Sequence, residues 1–143
     1  MGWDVARDGR KMDALMTRDA VLPILAVLAA SAEAGVSVSG LVDKMPARRT
    51  ATDRLQDVPR EASLAIVAAV LDGDMSVLPD GLGALASTDQ TDGVRLSFDS
   101  GKVVHIRPSG NAPELRCYVE AGSETAAVEV LEAVLQRLKA AVQ

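Results

Sequence analysis

The chain has 143 residues, 48 % of them hydrophobic, a formal net charge of −5 and a pI near 4.8. That length and apolar content suit one ordinary domain with an appendage, and the acidic balance excludes a broad nucleic-acid face, which needs clustered positive charge. The single cysteine, Cys117, excludes an internal disulfide and a cysteine metal cluster and suits the reducing cytoplasm. The start does not resemble a signal peptide, and the longest apolar run, Ala20 to Ala30, is too short to span a bilayer and contains Pro23.

Residues 1–13 read as polar, turn-rich and loosely held, with Asp8-Gly9 as a turn signal. Thr17 to Ala34 is predicted as a helix, capped by Thr17, with Asp19 at the favourable dipole end and Gly35 as its stop. Pro23 removes a backbone donor and is expected to kink the first turns. Val21, Leu22, Ile24, Leu25, Val27 and Leu28 make those turns apolar nearly all round, so the helix wants cover on every side. Ser37 to Lys44 is predicted as a short helix ended by Met45-Pro46. A boundary near Lys44 to Ala47 divides the chain into residues 1–44 and 45–143.

Arg48 to Thr52 is read as a strand, and Pro59 as the opening of a helix whose apolar positions are Leu64, Val67, Ala68 and Leu71. Asp72-Gly73 closes it. Gly81 to Val119 is β-forming. Asp92-Gly93 signals a two-residue hairpin, Val94, Leu96 and Phe98 alternate with polar residues, and Ser100-Gly101 turns the chain again. Val104 and Ile106 share one face, opposite His105. Leu115, Cys117 and Val119 point one way, with Arg116, Tyr118 and Glu120 the other. Ser123 caps the last helix, with Glu124 in its first turn; its predicted stripe is Val128, Leu131, Leu135, Leu138 and Val142. The fold class is α+β: a two-layer domain with an antiparallel sheet of about four to five strands and helices on one face, preceded by an N-terminal helical segment.

The chemistry concentrates in Val104 to Arg116. Arg107 and Ala112 each precede a proline and are pushed toward extended conformations, while Pro108 and Pro113 fix φ at the two ends of a polar loop. Gly110 lets the backbone approach a ligand closely or take φ > 0. A guanidinium, a hydroxyl, backbone N–H groups and an amide then suit a tetrahedral dianion. The plainer alternative is a loop that only turns the chain. His105 reads as a surface residue beside the loop, Cys117 as a small buried hydrophobe, and Arg48, Arg49 and Arg54 as solvated charge. Asp72-Gly73-Asp74 reads as a helix stop.

The stretch Arg-Pro-Ser-Gly-Asn-Ala-Pro-Glu-Leu-Arg-Cys-Tyr-Val-Glu-Ala, from Arg107 to Ala121, resembles the phosphate-binding loop and following strand in the fourth domain of the phosphohexomutases, the family of phosphomannomutase and phosphoglucomutase. The segments Met12 to Pro23 and Ala51 to Gln56 resemble its bacterial phosphomannomutase branch. The resemblance implies that Arg107, Ser109, Gly110 and Asn111 hold the phosphate of a mannose or glucose phosphate. It also implies that residues 1–44 are a remnant of the third domain. Many members have Thr-Glu where this chain has Asn111-Ala112, so the family's carboxylate is missing from the loop.

The family interconverts hexose 6-phosphate and hexose 1-phosphate through a phosphoserine and magnesium. The resemblance places the phosphoserine loop, the magnesium aspartates and the sugar-recognition loop in domains absent from this sequence. Asp72-Gly73-Asp74 lacks the third Asp and the Arg of the magnesium loop. Phosphoryl transfer needs a positioned nucleophile and charge neutralisation, so the chain alone is expected to be inactive, with no catalytic or metal residues and no cofactor of its own. Its expected partners are a sugar phosphate and the missing catalytic domains of a parent enzyme; nucleic acid and membrane are excluded. The alternative is a stand-alone interaction module, dimerising through the apolar N-terminal helix, with a vestigial loop.

Overall fold

The computed structural model of the protein describes residues 5–14 and 20–142. The chain divides into two compact units, Met1–Pro46 and Ala47–Gln143.

In the first unit, β1 (Val5–Arg7) and β2 (Arg10–Met12) pair as an antiparallel hairpin. Asp8 and Gly9 take φ of 50° and 72° between them, the double positive φ that a two-residue primed turn requires. Asp8-Gly9 thus forms the turn that its residue types signalled. Helix α1 (Val21–Ala34) begins at Val21 rather than Thr17, with Ala20 in the cap position; Thr17 and Asp19 lie outside the described residues. Pro23 is therefore the third helical residue. The N–H it lacks would have had no intrahelical acceptor there, so it removes no helical hydrogen bond. Gly35 ends the helix at φ 61° and donates to the Ala32 and Ser31 carbonyls. No residue of α1 is buried. The short α2 (Val38–Val42) is capped by Ser37, whose hydroxyl accepts the Gly40 N–H at 3.1 Å.

The second unit is a five-stranded, wholly antiparallel sheet in the order β3-β7-β6-β5-β4. Its strands are β3 (Arg49–Gln56), β4 (Leu85–Asp89), β5 (Val94–Phe98), β6 (Val103–Pro108) and β7 (Glu114–Ala121). Helix α3 (Arg60–Leu71) carries the chain from the β3 edge to the β4 edge, and α4 (Glu124–Ala141) follows β7. Both helices pack on one face, α3 against β5, β6 and β7 and α4 against β3 and β7.

Period-two alternation sorts the central strands: β5 and β7 bury every second residue. Val94, Leu96, Val104, Ile106, Leu115, Cys117 and Val119 point into the helix layer and are almost wholly buried. Each such aliphatic side chain contributes about 1.5–3 kcal/mol. The helix stripes agree with the predicted ones in part. In α3 the buried set is Ser63, Ile66, Val67 and Val70, and Leu64 is exposed. In α4 it is Ala127, Leu131, Val134 and Leu138, with Val128 exposed. Of the predicted positions, Val67, Leu131 and Leu138 are buried and Leu71, Leu135 and Val142 pack against the core, while Leu64, Ala68 and Val128 face outward. Alanine and leucine at neighbouring positions leave the sequence compatible with either face, and contact with the sheet decides.

The first hairpin of the sheet also departs from expectation. Four residues, 90–93, join β4 to β5, because the Asp89 carboxylate accepts the Thr91 N–H at 2.7 Å and starts the turn early. Gly93, at φ 80°, closes it. The next turn follows the simple pattern: Gly101, also at φ 80°, donates to the Phe98 carbonyl at 2.9 Å.

Candidate functional site

The loop 109–113 joins β6 to β7, and the backbone holds it in place at three points. Ser109 N–H donates to the Glu114 carbonyl at 2.8 Å, and Glu114 N–H to the Ala112 carbonyl at 2.8 Å. Val58 N–H, at the start of the helical crossover, donates to the Pro113 carbonyl at 3.0 Å. The Asn111 N–H makes a long bond, 3.4 Å, to the Ser109 hydroxyl. Gly110 and Ala112 N–H groups make no hydrogen bond to described residues. Gly110 is exposed and does not have positive φ, and a Cβ there would meet nothing within 4 Å. Its backbone conformation therefore does not require glycine; what glycine provides is open approach to the N–H. Ser109 is buried at 7 % exposure, and its hydroxyl keeps a proton to donate. Asn111 is exposed.

Arg107 lies on the sheet face opposite the helices. Its Nη1 donates to the Asp92 carboxylate, and its guanidinium carbon stands 5.7 Å from the Tyr118 ring centre, within cation–π range. Asp92 first, and then Tyr118, hold the guanidinium protonated above its already high ordinary value. Its Nε is buried and lacks a hydrogen-bond partner.

Strand register brings together residues that chain position keeps apart. Arg54 pairs with Arg116, and Arg116 pairs with Arg107, so three arginines form one row across β3, β7 and β6 at the loop end of the open face. Like charges facing one another across strands are unfavourable, and two carboxylates offset them. Glu114 binds Arg54 Nε at 3.1 Å and Arg116 Nη2 at 3.1 Å; Asp92 binds Arg107. Three cations against two anions leave the row one positive charge in excess. Thr52, Asp53, Arg54, Arg116 and Tyr118 line a shallow hollow of about 340 Å³ on this face. An apolar hollow of about 420 Å³, lined by Ala62, Ile66, Ala69 and Val142 among others, lies in the helix layer.

Arg116 is the residue that sequence reading had not singled out as a candidate. Its signal was present in the alternation of Arg116, Tyr118 and Glu120, but only the β6–β7 register sets it opposite Arg107. His105 is more engaged than a surface residue: its Nε2 lies 2.6 Å from the Asp92 carbonyl, and its ring centre 5.6 Å from that of Tyr118. Arg48 pairs with Glu120 at 3.0 Å. Cys117 is fully buried, and burial pushes its thiol up to about 12, which makes it inert. Asp72 and Gly73 form the C-terminal turn of α3, and Asp74 accepts the Ser76 N–H. Among the described residues no three acidic, histidine or cysteine groups gather to hold a metal ion. No helix among the described residues is long and apolar enough to cross a membrane.

Residues 45–137 match the family model of the phosphoglucomutase/phosphomannomutase C-terminal domain. The chain belongs to this family. A phosphomannomutase of Salmonella muenchen is 39 % identical over 97 % of this chain and 29 % of its own length. A phosphomannomutase of Sinorhizobium fredii is 42 % identical over 92 % of this chain and 28 % of its own length. A phosphoglucomutase/phosphomannomutase of Thermococcus kodakarensis is 30 % identical over 92 % of the chain. The chain thus spans less than a third of the phosphomannomutases it matches, and the phosphohexomutase family domain accounts for the unit that carries the loop.

Proposed function

We propose that the second unit seats the phosphate group of a sugar phosphate, a mannose or glucose phosphate, for a phosphomannomutase-like enzyme that interconverts hexose 6-phosphate and hexose 1-phosphate. Arg107 supplies charge and a planar fork, the Ser109 hydroxyl and Asn111 amide donate, and the Gly110 N–H closes on a remaining oxygen. Arg116 and Arg54 add positive potential from the same row. The supporting observation is the braced loop with open N–H groups at the end of the arginine row. Catalysis by such a unit is indirect: fixing one phosphate contributes remote binding energy that orients the reacting end of the sugar. The phosphoserine and magnesium chemistry belong to other domains of the parent enzyme, which we place in the cytoplasm. Magnesium there supplies charge neutralisation for phosphoryl transfer.

Titration of the chain with inorganic phosphate and mannose 6-phosphate tests this directly. The amide resonances of Ser109, Gly110 and Asn111 are expected to move, and Arg107→Ala to abolish the movement. No shift up to tens of millimolar ligand overturns the proposal.

A second reading, self-association through α1, is favoured by one observation: Val21, Ile24, Leu25 and Leu28 are each more than half exposed. Light scattering decides it; a monomer at every concentration removes it.

A further inference from the structure

Asp92 and Gly93 belong to the loop between β4 and β5, yet they lie against β6 beside Arg107. The Asp92 carboxylate pairs with Arg107 Nη1. The Asp92 carbonyl is held by His105 Nε2 at 2.6 Å. Gly93 passes so close to β6 that a Cβ would sit 2.7 Å from Arg107 Cβ and 2.8 Å from its Cα, and would collide with the Ile106 carbonyl. Side chain and backbone are thus tied down separately, and the carboxylate can leave while the loop stays.

We propose that Asp92 is an internal competitor for the phosphate: its carboxylate occupies a guanidinium edge that the ligand uses, and so sets how tightly Arg107 takes an anion. This rests on the reading of Arg107 as a phosphate ligand. Carboxylate and phosphate are recognised by the same N–H fork. Asp92 engages one corner of that fork, while Nε remains buried and unpaired. The Asp92 side chain is 57 % exposed, and water can receive it when a stronger anion arrives. An anion must displace a carboxylate to enter, which lowers the apparent affinity of every anion that uses this edge.

The sign of the effect follows. Neutralising Asp92 removes a competitor and also a negative charge beside the incoming dianion, and both act toward tighter binding. The opposing effect, loss of orientation at Arg107, is limited because the Tyr118 ring still backs the guanidinium at 5.7 Å.

The test is Asp92→Asn in the whole chain, titrated with inorganic phosphate at about pH 8, where phosphate is a dianion, beside the unaltered protein and Arg107→Ala. The expected result is about two- to fivefold tighter binding in Asp92→Asn, the range of one exposed ion pair. Equal or weaker binding in Asp92→Asn, with binding lost in Arg107→Ala, overturns the competitor role and leaves the phosphate seat standing. Undiminished binding in Arg107→Ala overturns the seat beneath it. In case the substitution disturbs the loop, the unaltered protein gives an independent readout. Phosphate should move the Arg107 Nε–H and Asp92 carboxyl-carbon resonances together, and an Arg107 shift without an Asp92 shift overturns the inference.

Discussion

The two faces of the sheet are built from alternate residues of the same strands, and they differ in almost every physical respect. Along β6, Val104 and Ile106 are fully buried while His105 and Arg107 are half-buried among polar partners. Along β7, Leu115, Cys117 and Val119 are sealed under the helices, and Arg116, Tyr118 and Glu120 face outward. The helix-covered face is held by non-directional burial. The open face is held by a few charged pairs, each worth little to stability because water competes for it. One step along the chain therefore moves a side chain from a role in folding to the face on which recognition is proposed.

Substitutions one residue apart sharpen that contrast. Leu115→Ala is expected to cost about 2–5 kcal/mol by chemical denaturation, since a fully buried leucine leaves a cavity; its neighbour Arg116→Ala is expected to change stability by less than about 1 kcal/mol. Gly93→Ala comes next, at about 1–3 kcal/mol, because positive φ and the close passage over β6 both resist a Cβ. A cost as small as that of a surface substitution would break the contrast, since the open face would then tolerate backbone repacking. Arg107→Ala should leave stability within about 1 kcal/mol while phosphate affinity falls at least tenfold, about 1.4 kcal/mol. Calorimetry and titration on one sample separate the two. Cys117 should resist thiol reagents near pH 8 until the protein unfolds, because burial holds its thiol neutral up to about 12; rapid labelling of the folded protein would show the covered face to be open.

The smallest effect is on pH. Hydrogen bonds from Thr91 hold the Asp89 carboxyl below its ordinary 3.8. A depressed folded value means that this contribution is present above the unfolded value and is lost as pH falls through the lower folded one. The Thr91 amide resonance should accordingly hold steady down to about pH 4 and move only below it. Movement centred above the ordinary carboxylate value would overturn the assignment.

What could be read in the sequence follows the same division. Alternation in Val94 to Phe98 and in Leu115 to Val119 announced which residues face the helices, because a half-buried strand has only two faces to choose from. The Ser123 cap and the Asp72-Gly73 stop were legible because they are local chemistry. The face of α3 was not: Leu64 to Leu71 is apolar on several sides, and only the sheet selects Ile66 and Val70 over Leu64. Nor was the Arg54–Arg116–Arg107 row, since no local pattern sets the register of strands so far apart in sequence. The loop from Arg107 to Pro113 stood out by its residue types, but the use of the Ser109 N–H inside the loop and the Asp92 pairing are tertiary facts.

The bond from Val58 N–H to the Pro113 carbonyl has a consequence of its own. It fastens the loop to the turn preceding α3, so the loop cannot swing away without breaking a contact to a distant part of the chain. Solvent deuterium should therefore reach the Val58 amide only when the loop lets go. Its protection factor becomes a gauge of how often the proposed anion seat comes apart, and an added phosphate that tightens the seat should slow that one amide.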